Sequence, residues 1–228
     1  MSYYDMSYYD IDCNRYKILY KKYLKSSTED ILLAGGDIKN KDIIDIGAGT
    51  MRLSEKAMKL RCGKILAIEE AMSMVPAKYY YSISNPGKLR LYCHSVGYIV
   101  GDVEACRSKY DFAFCQQGIN YWFCEKVISG ISKHLLKPGG KLIFNTFNTR
   151  PNTNPTVKKY KIGNIEYCEV YQLVGSMVHH LQMCNKTAPH FTKFKWISPE
   201  NFDKILNKIF KKVEVKDKGK TSIYICEA

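Results

Sequence analysis

The sequence predicts an α/β protein built on a mostly parallel sheet, and three observations predict it. Short apolar strands alternate with segments of helical periodicity from Lys41 to Thr146. A glycine turn, Gly47-Ala48-Gly49, closes the first strand. An acidic pair, Glu69-Glu70, closes the second. The composition allows such a fold: 228 residues, 46% hydrophobic and 25% charged, are globular values that exclude collagen-like, low-complexity and disordered classes. No apolar run approaches the roughly 20 residues of a spanning helix, so the chain is expected to be cytoplasmic with no membrane partner. The nine cysteines are scattered, odd in number and free of any CxxC pair. They read as reduced thiols and not as a disulfide frame or zinc site.

The elements follow in order. Met1 to about Ser27 repeats MSYYD and turns helical from Arg15, with Ile18, Leu19, Tyr23 and Leu24 on one face. Its tyrosines pack on the body or form a lid over a ligand. Asp42–Ile46 is a strand, Met51–Leu60 a helix, Lys64–Ile68 a strand and Ala71–Tyr81 a helix. Pro86-Gly87 breaks the chain. The third strand is either Lys88–Cys93 or Tyr98–Val100, and the latter is preferred because Gly101-Asp102 closes it. Asp111–Cys115 is the fourth strand, Tyr121–Leu136 a helix and Lys141–Thr146 the fifth strand. Past Asn148 the pattern changes: Asn164–Leu173 and Ser176–Met183 alternate in strand fashion around Val174-Gly175, an antiparallel hairpin beside the sheet. Ser198-Pro199 starts a helix with a cap residue and proline at its first position. Lys212–Val215 and Thr221–Cys226 close the chain as an antiparallel pair.

Asp45-Ile46-Gly47-Ala48-Gly49-Thr50 is the sharpest local signal. Glycines after a buried strand let backbone approach a ligand, and a carboxylate a little over 20 residues on, Glu69, can bind both hydroxyls of a ribose. Together they indicate a nucleoside-bearing cofactor. A dinucleotide loop would have a third glycine where Arg52 stands, and no P-loop Gly-Lys-Ser/Thr occurs.

The ordered set IIDIGAGT (43–50), AIEEAMSM (67–74), VGDVE (100–104), YDFAFCQQGINYWF (110–123) and LKPGGKLIFNTF (136–147) resembles the class I S-adenosylmethionine-dependent methyltransferases. The resemblance covers about 110 residues. It implies a Rossmann-like, mostly parallel seven-stranded sheet with an antiparallel last strand, and the hairpin inserted after the fifth strand. It also implies S-adenosylmethionine as cofactor. Gly47 and Gly49, flanking Ala48, would pass under the methionine part, with Asp45 orienting the amine, and Glu69 would take the ribose hydroxyls. Met74 would pack by the adenine and Asp102 accept from its amino group, while Gln116 and Gln117 would lie by the sulfonium. One departure is Met51, where many members carry a third glycine, so the loop is expected to sit slightly differently.

Methyl transfer from a sulfonium is an in-line displacement, so the protein mainly aligns the reactants and excludes water. No motif fixes the nucleophile: the Asn/Asp-Pro-Pro-Tyr/Phe motif of base- and glutamine-methylating relatives is absent, and Cys115 and Cys124 lack a Pro-Cys context. The insertion from Arg150 to Ser198, where small-molecule members build a substrate roof, holds three of the five histidines. In a strand His179 and His180 point to opposite faces. His180 and His190 are the candidate bases, Tyr121 a candidate catalytic residue and, with Trp122, a pocket wall. Spacing also permits a metal on His180, Cys184 and His190, but no metal site is assigned.

The chain is thus divided as one methyltransferase domain: an N-terminal helical cap (1–40), a cofactor-binding core (41–148), a substrate-roof insertion (149–198) and a closing helix and strands (199–228). The expected activity is methyl transfer to an O or N of a small-molecule acceptor, by a monomer or homodimer. The formal charge of +13 and the basic tail around Lys204–Lys220 support the alternative of an RNA- or protein-modifying enzyme. Against a binding role for that charge, it is spread: 22 basic and 15 acidic residues in 1–150, 13 and 7 in 151–228.

Overall fold

In the computed structural model the described residues are 13–84, 87–100 and 108–228, without the side chains of 21–26, 83 and 84. The repeats before Cys13, the side chains of Tyr23 and Leu24, and the closing Gly101-Asp102 with the rest of its motif lie outside the described residues. Asp102 is therefore not placed.

The chain opens with helices α1 (Cys13–Leu19) and α2 (Lys21–Gly35). Strands β1 (Ile43–Ile46), β2 (Ile65–Ile68), β3 (Leu89–Tyr92), β4 (Tyr110–Cys115) and β5 (Leu136–Phe147) then pair in parallel, joined by β10 (Lys212–Asp217) and β11 (Thr221–Glu227) into one sheet ordered β10-β11-β5-β4-β1-β2-β3. β11 runs antiparallel to both β5 and β10. Every residue of β1 and β2 is buried, which is why these strands read as unbroken apolar runs. On one face of the sheet α2 and α3 (Arg52–Lys59) contribute Ile31, Leu32, Leu53 and Ala57 to the core. On the other, Ile119, Ile128, Phe202 and Leu206 pack on Phe144 and Tyr224, whose rings stack at 5.0 Å.

A second sheet, β6 (Thr156–Ile162), β7 (Ile165–Val174), β8 (Met177–Cys184) and β9 (Thr187–Lys195), is wholly antiparallel. The expected hairpin is its central pair. The two flanking strands escape the sequence pattern because they are edges: β6 is largely exposed and lysine-rich, and β9 carries Pro189, which an edge strand tolerates.

The structure corrects four expectations. The third strand is Leu89–Tyr92: Leu89 and Leu91 are buried in register with Ile65 and Ala67, whereas Val96–Ile99 forms the one-turn helix α5, capped by Ser95, with Val96 and Ile99 buried at helical spacing. The expected helix over Ala71–Tyr81 is instead two 3-10 turns, Met72–Met74 and Ala77–Tyr79, before the short α4 (Tyr81–Ser84), since Pro76 cannot donate inside a helix. The expected helix over Tyr121–Leu136 is divided into α6 (Ile119–Trp122), α7 (Glu125–Gly130) and a π-helical turn, Ile131–Leu135. The break falls where Phe123 turns extended to meet Phe202 at 4.5 Å. β5 begins at Leu136, five residues early, because Gly140 lets it approach β4: a Cβ there would lie 3.0 Å from the Tyr110 carbonyl oxygen. Helix α8 (Pro199–Ile209) matches expectation, with the Ser198 side chain accepting from the Asn201 amide. The basic tail after it is partly the exposed edge strand β10, where charged side chains discourage pairing with another chain.

Candidate functional site

From β1 the chain moves outward through β2 to β3, then returns to place β4 on the other side of β1. The direction of travel reverses there, and the carboxyl ends of β1 and β4 at such a reversal are the usual ligand position in such sheets. Three expected residue groups meet at this end: the glycine loop after β1, Glu69 after β2, and Gln116-Gln117 after β4.

The loop is fastened to β2, since the amides of Gly47 and Ala48 both donate to the Ile68 carbonyl, at 2.9 and 3.0 Å. Gly47 and Gly49 have φ of +68° and +51°, conformations that suit glycine. A Cβ on Gly47 would meet nothing within 4 Å, so that face of the loop is open. Met51 also has positive φ, +63°, and caps α3 with its side chain fully buried. It therefore takes a conformation that glycine would hold without strain.

Asp45 is buried and accepts from the Ser54 amide and hydroxyl at 3.1 and 2.6 Å. Burial pushes its carboxyl up to about 6, and the Ser54 bonds oppose the shift. Glu69, 6% exposed, accepts from the Gly49 amide at 2.7 Å and from the Ala71 amide at 2.9 Å. Each oxygen thus spends one lone pair on backbone and keeps another for a ligand hydroxyl. Burial raises Glu69 to about 7 despite those two bonds. Met74 is buried, and its methyl would lie 3.6 Å from a Cβ at Gly49.

Gln116 accepts from Thr28 Oγ1 at 2.8 Å and donates to Ser27, both on α2, so its amide fastens the cap helix. The Gln117 amide donates to Asn145 Oδ1 at 2.7 Å, and its side chain lines a shallow open crevice with Ser27, Asp30 and Lys218.

α1 lies between the Met72–Met74 turn and strands β8 and β9. Leu19 is fully buried against Ala71 and Met74, with Tyr16, Tyr20 and Cys184 alongside. Tyr167 donates to the Ile18 carbonyl at 2.9 Å, and Arg15 donates to the Pro189 carbonyl. The Tyr20 hydroxyl is 3.1 Å from His190 Nδ1. Thus α1 bridges the Met72–Met74 turn and the antiparallel sheet.

His180 lies edge-on to Tyr20 and stacks on Tyr171 at 5.0 Å, while His179 packs on exposed Phe191 on the other face. Burial holds His180 down to about 4, and its Nε2 has no hydrogen-bond partner. His190 is buried below Tyr20. Tyr121 lies by Phe194 at 5.7 Å and beside Thr192, its phenol raised by burial. Trp122 is partly buried and packs against the main core. No metal-holding group of three His, Cys, Asp or Glu occurs among the described residues.

Sequence reading missed Glu169. It is fully buried and accepts from Tyr160 and Tyr171, while Gln182 Nε2 donates to the Tyr160 hydroxyl at 3.3 Å. A charged glutamate in an alternating strand reads by its type as solvent-facing. The available signal was parity: Glu169 shares its strand face with Tyr167 and Leu173, both buried.

No protein-family model matches this sequence, and no curated protein matches it. Solved structures do. The CcbJ methyltransferase from Streptomyces caelestis aligns over 99% of each chain with TM-score 0.73 and 13% identity. S-adenosylmethionine-bound CalS10 from Micromonospora echinaspora, an amino pentose methyltransferase, aligns over 93% of this chain and 95% of its own, with TM-score 0.70 and 14% identity. A S-adenosylmethionine-dependent methyltransferase from Clostridium acetobutylicum gives 0.67 and 16% over 93% and 95%. The chain has the class I methyltransferase fold. The likeness runs nearly end to end, so it includes the antiparallel sheet and α1 as well as the strands that carry the glycine loop.

Proposed function

We propose that this protein is a S-adenosylmethionine-dependent methyltransferase acting on an O or N of a small-molecule acceptor. The observation that carries the reading is the pairing of an open, positive-φ glycine loop with a buried carboxylate at the reversal point of the sheet. The residues fit the cofactor. Glu69 has acceptor capacity left for two ribose hydroxyls, Gly47 presents bare backbone to the methionine part, and Met74 offers an apolar surface for the adenine. Asp45, held by Ser54, keeps one carboxylate oxygen for the cofactor amine. The bound cofactor supplies a methyl group on a sulfonium whose leaving group is already activated. The chain's part is then to hold the acceptor in line and keep water out, for which α1 and the antiparallel sheet are placed.

Small-molecule acceptors are supported by the neighbours, among them an amino pentose methyltransferase. No described helix is long and apolar enough to cross a membrane. The test uses methyl-labelled S-adenosylmethionine and a cell extract, fractionated by size after incubation. Label in the small-molecule filtrate is expected; label retained on RNA or protein contradicts the acceptor class.

A further inference from the structure

The inward face of the antiparallel sheet is fixed by Cys184, which packs against the Leu19–Met74 cluster. Strand alternation then puts His180 and Gln182 on that same face. Cross-strand register adds Glu169 and Tyr171 from β7, opposite Gln182 and His180, and His190 and Thr192 from β9, opposite the same two residues. One polar patch therefore spans three strands and faces α1.

Two of its atoms lack partners. Tyr160 receives the Gln182 Nε2 hydrogen, which leaves Gln182 Oε1 as the outward atom, fully buried and without a donor. His180 Nε2 is orphaned in the same patch, beside Gln182, while Thr192 lies next to the Tyr20 and Tyr121 hydroxyls. Buried polar atoms of native proteins are nearly always paired, so two orphans beside a buried carboxylate describe a site awaiting hydrogen-bond donors. Gln182 Oε1 can only accept, and the Glu169 carboxylate, already taking two tyrosine hydrogens, adds negative charge.

Resting on the methyltransferase reading above, we propose that the acceptor is an amine, held through its N–H groups by Glu169, Gln182 and His180. An ammonium brings three donors and a positive charge to this patch, where a hydroxyl brings one donor and none. The chemistry points the same way. A hydroxyl nucleophile needs a strong base, yet Tyr16, Tyr20 and Tyr121 are buried phenols held protonated, and His180 is held a weak base. An amine needs only to arrive neutral. The ammonium gives one proton to water or the Glu169 carboxylate. The nitrogen lone pair then forms the N–C bond as the C–S bond breaks, and its electron pair returns to sulfur. The product leaves as the protonated methylamine.

The test titrates protein loaded with S-adenosylhomocysteine with two matched pairs of probes: glucosamine against glucose, and tyramine against tyrosol. Each pair differs only by an amine in place of a hydroxyl. In at least one pair the amine is expected to bind tenfold or more tightly, with the preference lost in Glu169→Gln. Gln182→Leu, which retains the carboxylate, should weaken the same amine at least threefold. Equal binding in both pairs, no binding of either amine, or a preference that survives both substitutions overturns the proposal. Failure of the protein to bind S-adenosylhomocysteine at all is a separate outcome, which removes the methyltransferase reading and this inference with it.

Discussion

The glycine-loop cradle and the antiparallel sheet contain the same kinds of group, buried carboxylates and hydrogen-bonding side chains, arranged to opposite ends. In the cradle the carboxylates are engaged locally: Asp45 with Ser54, Glu69 with the amides of Gly49 and Ala71. Its geometry is set by backbone. In the antiparallel sheet, buried atoms of Gln182 and His180 have no partner. A preformed cradle suits a ligand that never changes, whereas a patch with unmet hydrogen bonds suits the one that distinguishes this protein from its neighbours.

Substitutions on either side should break that comparison if it is wrong. The largest effect is expected from Glu69→Ala, which removes both ribose acceptors and should weaken S-adenosylmethionine binding about 100-fold, since hydrogen bonds to a charged group each contribute about 1.5–3 kcal/mol. Glu169→Gln should leave that affinity within about twofold. Calorimetric titration of both variants reads the two numbers, and a reversal of their order would exchange the roles assigned to cradle and antiparallel sheet.

pH gives the next effect. Glu69 is raised to about 7 and Asp45 to about 6, so folding favours their protonated forms. Their contribution to stability is complete below the unfolded values near 4 and is lost as pH rises through 6 and 7. His180, held down to about 4, acts oppositely: its contribution is present above 6.5 and lost as pH falls through 4. Cofactor binding needs the ionised Glu69 and should strengthen about tenfold between pH 6 and 8. Between pH 4.5 and 7, melting curves of ligand-free Glu69→Gln should lack the part of the decline that wild type shows, and its cofactor affinity should no longer follow pH.

Ser54→Ala should lower stability by about 2 kcal/mol, because the buried Asp45 carboxylate loses its shortest bond. A shift in the melting temperature of several degrees would show it. The smallest effect is expected at the end of α1. Tyr20→Phe removes the contact with His190 and should raise the acceptor KM about fivefold, with cofactor affinity unchanged. A change in cofactor affinity instead would assign Tyr20 to the cradle.

The contrast also explains what was legible in the sequence. The cradle is encoded by neighbours: Asp45 to Thr50 are contiguous, and Glu69 reaches them because β1 and β2 are adjacent and parallel. The third strand was misplaced because glycine-aspartate closure was weighed above the alternation of Leu89 and Leu91, which the pairing with β2 rewards. The Gln116 partners Ser27 and Thr28 come from α2, a contact with no local trace in the sequence. Glu169 was invisible for a related reason. Tyr171 lies two residues on in the same strand, but Tyr160 reaches Glu169 only through the register of β6 and β7, and β6 has the composition of a solvated segment.

The central claim is that the reversal point of the sheet is a S-adenosylmethionine site. Calorimetric titration of the unaltered protein with S-adenosylhomocysteine, at pH 8 and beside ATP as a control adenine nucleotide, tests it most directly. One site per chain in the micromolar range with no measurable ATP binding is predicted. Absence of binding, or ATP bound equally well, would contradict it.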